Sequence, residues 1–277
     1  MACPGVRKNR LHSLIILLIL LSWVDSVCAQ DLEPRRWSQL PTGLNFAGIG
    51  YGYVNGDIFF DPLLTIEDAT FELHQLSMVY LRSINLFDKS ARIDFNLPYA
   101  AGRWEGNVDN EFVHIRRRGP KDMRVRLSML LYGGPAQTPG EFASNEKSNT
   151  VVGAAVALTL PTGEYSSNRL INLGSNRWVV RPQLGVTHTR GNWTGELTGS
   201  VFIYTDNNQF WNETRLETDP LYALQAHLIY TFRPGLWLSM STAYGWGGEA
   251  MVNGIAKNNY AGNWLSSLTL GFPSDRK

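Results

Sequence analysis

The chain has only two cysteines among its 277 residues, and both lie near the N-terminus, at Cys3 and Cys28. Once an N-terminal segment that includes both is removed, neither a disulfide framework nor a thiolate metal site is possible. The histidines that remain form no pair at the close spacing of a metal-binding motif. We therefore expect no metal site and no cofactor.

The chain also lacks an excess of charge of either sign, with 25 Lys and Arg residues against 24 Asp and Glu residues. Residues 1–29 hold three of the basic residues and one of the acidic residues, which leaves 22 basic and 23 acidic residues in the remainder. This balance gives no electrostatic basis for nucleic-acid binding. The one basic run, Arg116-Arg117-Arg118, falls in a predicted loop, where it faces solvent or lipid headgroups.

Long apolar runs are absent beyond residues 14–24, and that run is shorter than the ~20 residues that a transmembrane helix needs. Basic residues precede the run, and the small residues Val27-Cys28-Ala29 follow it. This order is typical of a secretory signal peptide, so we expect residues 1–29 to be cleaved after Ala29. A retained membrane-anchoring helix is the alternative.

What the chain does contain is a repeated alternation of apolar and polar side chains, which is the primary sign of a β-strand. Residues 90–97 show it clearly, because Ile93 and Phe95 face one way while Arg92 and Asp94 face the other. Ten predicted strands follow this pattern, at residues 44–56, 71–85, 90–97, 123–132, 150–160, 177–189, 192–204, 221–232, 236–246 and 263–272.

The connections between these strands alternate between short and long. Short turns fall at 86–89, 190–191, 233–235 and from 273 onward, and long polar loops at 57–70, 98–122, 161–176, 205–220 and 247–262. Residues 133–149 break this order, so the strand count is least secure there. Outer-membrane barrels place short turns in the periplasm and long loops outside. We therefore predict an all-β, antiparallel up-and-down transmembrane β-barrel over residues 44–277, preceded by a periplasmic lead-in segment at 30–43.

Aromatic residues recur near the ends of the predicted strands. In a membrane barrel such residues lie at headgroup depth, whereas in a soluble sandwich they tend towards the middle of strands. The pattern favours the membrane, and it includes Trp178, Trp193, Tyr204, Tyr222, Phe232, Trp246, Trp264 and Phe272.

The polar faces of the strands carry charges of both signs. These side chains either select a solute or form an ion-pair network that fills a narrow barrel. Barrels of about eight strands are filled by side chains and those of sixteen or more leave a channel, so ten to twelve strands lie between. The candidates for lining the lumen are Arg92, Asp94, Arg124, Arg126, Arg181, Gln183, Glu196, Gln225 and His227.

Five stretches of the chain resemble the MetA-pathway of phenol degradation family, proteobacterial outer-membrane β-barrels often called transporters. The resemblance implies uptake of aromatic or other hydrophobic compounds, and it supplies no catalytic residues. It also implies twelve strands, so this chain either closes a barrel with ten strands or lacks the last hairpin. The stretches are NFAGIGYGYVNGDIFFDP, ARIDFNLPYAAGRWEG, RLINLGSNRWVVRPQLGV, DPLYALQAHLIYTFRPGLWLSMSTAYGWGG and VNGIAKNNYAGNW.

The sequence therefore predicts a channel of the Gram-negative outer membrane, not an enzyme, for passive uptake of small hydrophobic or aromatic solutes. Its expected partners are outer-membrane lipids and the solute. A structural or surface-interaction barrel without transport is one alternative. An outer-membrane hydrolase that uses His227 with Ser200 or Ser239 is another, because catalytic triads assemble in space rather than in sequence.

Signal-peptide cleavage after Ala29 predicts a mature N-terminus at Gln30. Intact-mass and peptide mass spectrometry of the protein from outer-membrane fractions should detect a chain that begins at Gln30. A full-length mass would instead favour the retained anchor.

Overall fold

The structure is a computed structural model that describes residues 32–57, 66–108, 111–145 and 148–273. Of residues 66–68 and 108 it describes the backbone alone. The predicted signal peptide lies outside the described residues.

Almost all of the regular structure is β-strand, as the alternation of side chains predicts. The strands are β1 (Asn45–Asp57), β2 (Ile66–Leu86), β3 (Lys89–Val108), β4 (Glu111–Pro120), β5 (Arg124–Tyr132), β6 (Thr150–Thr159), β7 (Val179–Arg190), β8 (Trp193–Tyr204), β9 (Asn207–Phe210), β10 (Thr214–Thr218), β11 (Leu221–Arg233), β12 (Leu236–Gly247), β13 (Ala250–Val252), β14 (Ile255–Ala256) and β15 (Ala261–Gly271). The described residues also contain a helix, α1 (Pro139–Ser144).

Ten of these strands form one continuous antiparallel sheet in the order β1-β2-β3-β5-β6-β7-β8-β11-β12-β15. Each long strand lies beside the next one in the chain, so the predicted up-and-down order is confirmed. The sheet curls into a half-barrel with a convex and a concave face. Within the described residues, β1 and β15 each pair on one side only, so the sheet is open at these two edges.

The prediction that residues 98–122 form a loop is wrong. β3 continues to Val108, and β4 returns antiparallel to it, which places Arg116 beside Arg103. The prolines and glycines of this stretch had the composition of a turn. Pro98 is tolerated because it lies where the ladder from β3 to β5 stops and the ladder to β4 begins, so its missing N–H interrupts neither.

Two more predicted loops also contain strands. Residues 205–220 include β9 and β10, residues 247–262 include β13 and β14, and these four strands form a second small sheet in the order β14-β13-β10-β9. Leu216 of β10 pairs with Val252 of β13, which ties the two loops together. Strands of two to five residues are too short to show a detectable alternation.

The irregular connection at 133–149 contains α1. The hydroxyl of Thr138 accepts a hydrogen bond from the backbone N–H of Glu141. In return, the carboxylate of Glu141 accepts a hydrogen bond from the backbone N–H of Thr138. This reciprocal capping box fixes the start of the helix. Because β5 and β6 pair directly on either side, the strand count here is right and the connection is simply long.

The alternation sorts side chains between the two faces of the sheet. On β11, Leu224 and Leu228 are exposed on the convex face, whereas Gln225, His227 and Ile229 are buried on the concave face. The same inside-outside pattern holds on β7 and β8. An exposed apolar face over so many strands is what a lipid environment requires.

Aromatic pairs lie at both ends of this exposed apolar face. Tyr222 stacks on Trp246 with ring centroids 5.7 Å apart, and at the other end Trp193 meets Tyr230 edge-on at 4.8 Å. Tyr222 and Tyr230 lie eight residues apart on β11, which is roughly 27 Å of strand. That length is comparable to the ~25 Å apolar band between the aromatic girdles of outer-membrane barrels.

We expect Leu197→Arg to lower the stability of the folded protein in a bilayer by about 2–4 kcal/mol, because arginine costs most near the membrane midplane. Leu197 lies on the convex face beside Ala226, midway between Tyr222 and Tyr230. Phe232→Arg, at the aromatic end, should cost only about 0–1 kcal/mol. Urea titration in lipid vesicles measures both, and equal costs would contradict a lipid-facing surface.

Candidate functional site

The nine candidate side chains all belong to the concave face and come from β3, β5, β7, β8 and β11. Seven of them are buried, and Arg92 and Arg124 are partly buried. The register brings Asp94 of β3 beside Arg126 of β5, and Glu196 of β8 beside His227 of β11. A partner that the sequence does not predict contacts five of the nine, namely Arg92, Asp94, Arg124, Arg126 and Glu196. The role of all nine in lining a lumen stays a prediction.

That partner is the lead-in segment, of which residues 32–43 are described. It crosses the concave face, and its Trp37 is fully buried there. The indole N–H of Trp37 donates a hydrogen bond of 2.7 Å to the Thr198 hydroxyl. Gly153 and Gly185, which are direct neighbours on β6 and β7, form the slot for the ring, since a Cβ at either would lie within 2.2 Å of it.

The charged side chains around Trp37 form one network. Glu33 pairs with Arg126 at 2.5 Å, Arg126 pairs with Asp94 at 2.9 Å, and Asp94 pairs with Arg36 at 3.4 Å. The backbone N–H of Arg36 also donates to the Glu196 carboxylate at 3.1 Å. Acidic and basic groups thus alternate from the segment to the sheet and back.

Glu33 remains ionised in this network. Burial alone raises the pKa of its carboxyl, but the guanidinium groups of Arg126 and Arg36 outweigh burial and hold that pKa well below its ordinary value. The ion pairs around Glu33 therefore persist at neutral pH and through mildly acidic pH.

The segment is also fixed to the far side of the sheet. Arg35 donates a 2.6 Å hydrogen bond to the Thr231 hydroxyl of β11, and its guanidinium lies 4.9 Å from the ring centroid of Trp237 on β12. Arg35 adopts a left-handed backbone conformation with φ of 63°, which is uncommon for a residue other than glycine. The chain turns there, so that consecutive side chains reach different strands.

The predicted site residues do not include any residue of this segment. The sequence does carry a signal for this role, because three charged residues and a large aromatic ring lie close together in the predicted lead-in segment: Glu33, Arg35, Arg36 and Trp37. A second signal was the run of small residues opposite the apolar face of β6, which leaves room for a ring.

The concave face is not covered evenly. Along β1, a Cβ added to Gly48 or Gly52 would meet no atom within 4 Å. On the same face, Phe46 is 46% exposed and Val79 of β2 is 39% exposed. Residues 32–43 thus cover the charged half of the face, while no other described residue covers the apolar and glycine-lined half beside β1.

The residues of the hydrolase alternative do not assemble as a nucleophile and a base. His227 lies beside Glu196 and Ser241, while Ser239 hydrogen-bonds to Ser241 at 3.1 Å. Among the described residues, neither ring nitrogen of His227 has a hydrogen-bond partner. The pairing that nucleophilic catalysis requires is therefore not formed.

The described residues contain neither a membrane-spanning helix nor a cluster of metal ligands. No helix in them is long and apolar enough to cross a membrane. No cluster of three or more His, Cys, Asp or Glu side chains within the described ranges is arranged to hold a metal ion.

Comparisons with known proteins agree with this geometry. The chain is similar to the COG4313 outer membrane channel from Pseudomonas putida F1, with a TM-score of 0.68 and 25% sequence identity over 87% of this chain and 86% of that chain. No curated protein matches the chain significantly. The model of the family described as "Putative MetA-pathway of phenol degradation" matches residues 68–272, which is more than half of the chain. The chain therefore belongs to the MetA-pathway of phenol degradation family.

Proposed function

We propose that the chain is an outer-membrane channel through which small hydrophobic or aromatic solutes enter by passive diffusion. The observation that carries this proposal is the uneven filling of the concave face, whose charged half is covered and whose apolar half is not. The likeness to the outer membrane channel of Pseudomonas putida and the membership of a phenol-degradation family both support it.

Unpartnered polar atoms support a hydrated lumen. The side-chain oxygens of Gln183 and Ser200 and both ring nitrogens of His227 are buried, yet within the described residues none of them has a hydrogen-bond partner. Buried polar groups in native proteins are satisfied by ordered water when no protein group reaches them. We infer that ordered water satisfies these atoms in the membrane-embedded protein.

The two halves of the concave face have different roles in this mechanism. The ion pairs of Glu33, Arg36, Asp94 and Arg126 hold residues 32–43 in place and narrow the lumen. An apolar solute follows the half beside β1, where small and apolar side chains hold no ordered water that the solute would have to displace. The sequence shows no energy-coupling motif, so movement down a concentration gradient is sufficient.

A barrel without transport is the second candidate, and the network itself favours it, because residues 32–43 occupy much of the concave face. Solute flux distinguishes the two. Because His227 forms no hydrogen bond to a serine among the described residues, we propose no catalytic role for it.

Trp37→Ala should raise the ionic conductance of the channel several-fold in planar bilayers, because removal of the indole frees residues 32–43 from the slot between Gly153 and Gly185. Trp178→Ala removes an indole that is exposed on the outside, and it should leave the conductance unchanged. Equal conductance of wild type and Trp37→Ala would show that the segment does not limit the pore. Absence of conductance in both would favour the barrel without transport.

Gly48→Phe should reduce the flux of an uncharged aromatic solute such as benzyl alcohol into proteoliposomes, above that of protein-free liposomes, several-fold, with little loss of stability. The new ring projects into the uncovered half of the concave face, where Gly48 has no neighbour within 4 Å. Gly199→Phe is the matched control, since Gly199 also has open space around it but lies beside Leu224 on the convex face. If both variants transport benzyl alcohol as the wild type does, the solute does not pass along β1.

A further inference from the structure

Three arginines form a cluster on the convex face of β3 and β4, here called the arginine patch: Arg103, Arg116 and Arg118. Arg103 and Arg116 are direct neighbours across the two strands. Arg118 lies on the same face, two residues further along β4 and closer to the apolar part of that face. The patch belongs to the convex side because Arg103 follows Leu97 and Tyr99 at period two, and both of these are exposed there.

Two of the three arginines form no ion pair with a carboxylate of the described residues, so their charges can bind an external anion. Arg103 pairs with Glu72 at 3.2 Å and with Glu105 at 3.3 Å. The side chains of Arg116 and Arg118 are exposed, and no carboxylate in the described part of the chain pairs with either. Two like charges so close together on one strand favour an anion from outside the protein.

The patch borders an open groove of about 440 Å³, which is also lined by Glu72 and His74 of β2. A second groove of about 600 Å³ lies on the same face further down the sheet, among apolar side chains such as Ile49, Met78 and Leu97. The charged groove lies on β2, β3 and β4 and the apolar groove on β1, β2 and β3, so the two grooves follow one another along β2 and β3.

Aromatic residues mark the boundary between the two grooves. Tyr51, Leu76 and Tyr99 form one row across β1, β2 and β3, and the hydroxyl of Tyr51 contacts His74 Nδ1 at 2.7 Å. The row of Glu72 and Arg103 lies four residues beyond it on each strand, roughly 13 Å along the sheet. Tyrosines at this boundary are typical of a membrane interface, which places the patch at headgroup depth.

We propose that the arginine patch binds the phosphate groups of lipid A in the outer leaflet, while the acyl chains lie along the apolar groove. Arginine forms bidentate, charge-assisted hydrogen bonds to phosphate oxygens. A soluble anion gains nothing from the apolar groove, whereas a phosphorylated lipid uses both grooves at once. The proposal depends on an outer-membrane location and is independent of solute transport.

Binding of fluorescent lipid A to the detergent-purified mature protein, measured by microscale thermophoresis, tests the proposal. The double variant Arg116→Gln with Arg118→Gln should bind lipid A roughly thirtyfold more weakly, since each arginine near an anionic lipid surface contributes about fivefold. Arg82→Gln with Arg190→Gln is the matched control. It removes the same charge from exposed positions near the other end of the convex face and should leave affinity unchanged.

Three further binding measurements distinguish lipid A from other anionic ligands. Dephosphorylated lipid A should bind the wild type as weakly as lipid A binds the patch variant, and inorganic phosphate should not displace lipid A. Equal affinity of the wild type and the patch variant, or displacement by inorganic phosphate, overturns the proposal. Equal affinity for phosphatidylglycerol overturns the assignment to the outer leaflet. The patch variant should keep the conductance of the wild type, which separates this site from the lumen.

Discussion

One constraint governs this structure: every second side chain of each long strand must point to the concave face of a single curved sheet. Those positions carry Asp94, Arg126, Glu196 and His227, and such groups are costly to bury without partners. The chain meets part of this demand with its own N-terminal segment, which brings Glu33, Arg36 and Trp37 to the concave face. Some buried polar groups, such as both ring nitrogens of His227, have no hydrogen-bond partner among the described residues, and in the proposed channel ordered water supplies it.

Much of the fold could be predicted from the sequence because a lipid-facing sheet repeats one local rule. The ten strands, their order and the face of each candidate side chain all follow from period two. What failed was the stretch 98–122, where strand pairing overrides the turn composition, and the short strands of two loops. The contact of Trp37 with Thr198 spans 161 residues, and no local pattern encodes a contact at that distance.

The division of the concave face into two halves connects the structure with the proposed transport. Charged side chains cluster on β3, β5, β7 and β8, where residues 32–43 cover them, whereas β1 presents glycines. Contact with a glycine-lined wall costs an apolar solute no hydrogen bonds or ion pairs. On the charged wall, the same solute would have to displace ordered water or break ion pairs. In the proposed transport, coverage by residues 32–43 acts as a filter, because it removes the polar wall from the path of the solute and leaves the apolar wall.

The two kinds of contact that hold the segment differ in what they supply. Complete burial of an indole removes about 150–250 Å² of surface from water. That burial is worth about 4–6 kcal/mol, to which the hydrogen bond to Thr198 adds orientation. The buried ion pairs of Glu33 and Arg36 contribute less net stability, since desolvation offsets most of their attraction. Their alternating signs instead admit only one register of the segment on the sheet. Trp37 thus provides the affinity of the segment for the concave face, and the charges determine its position.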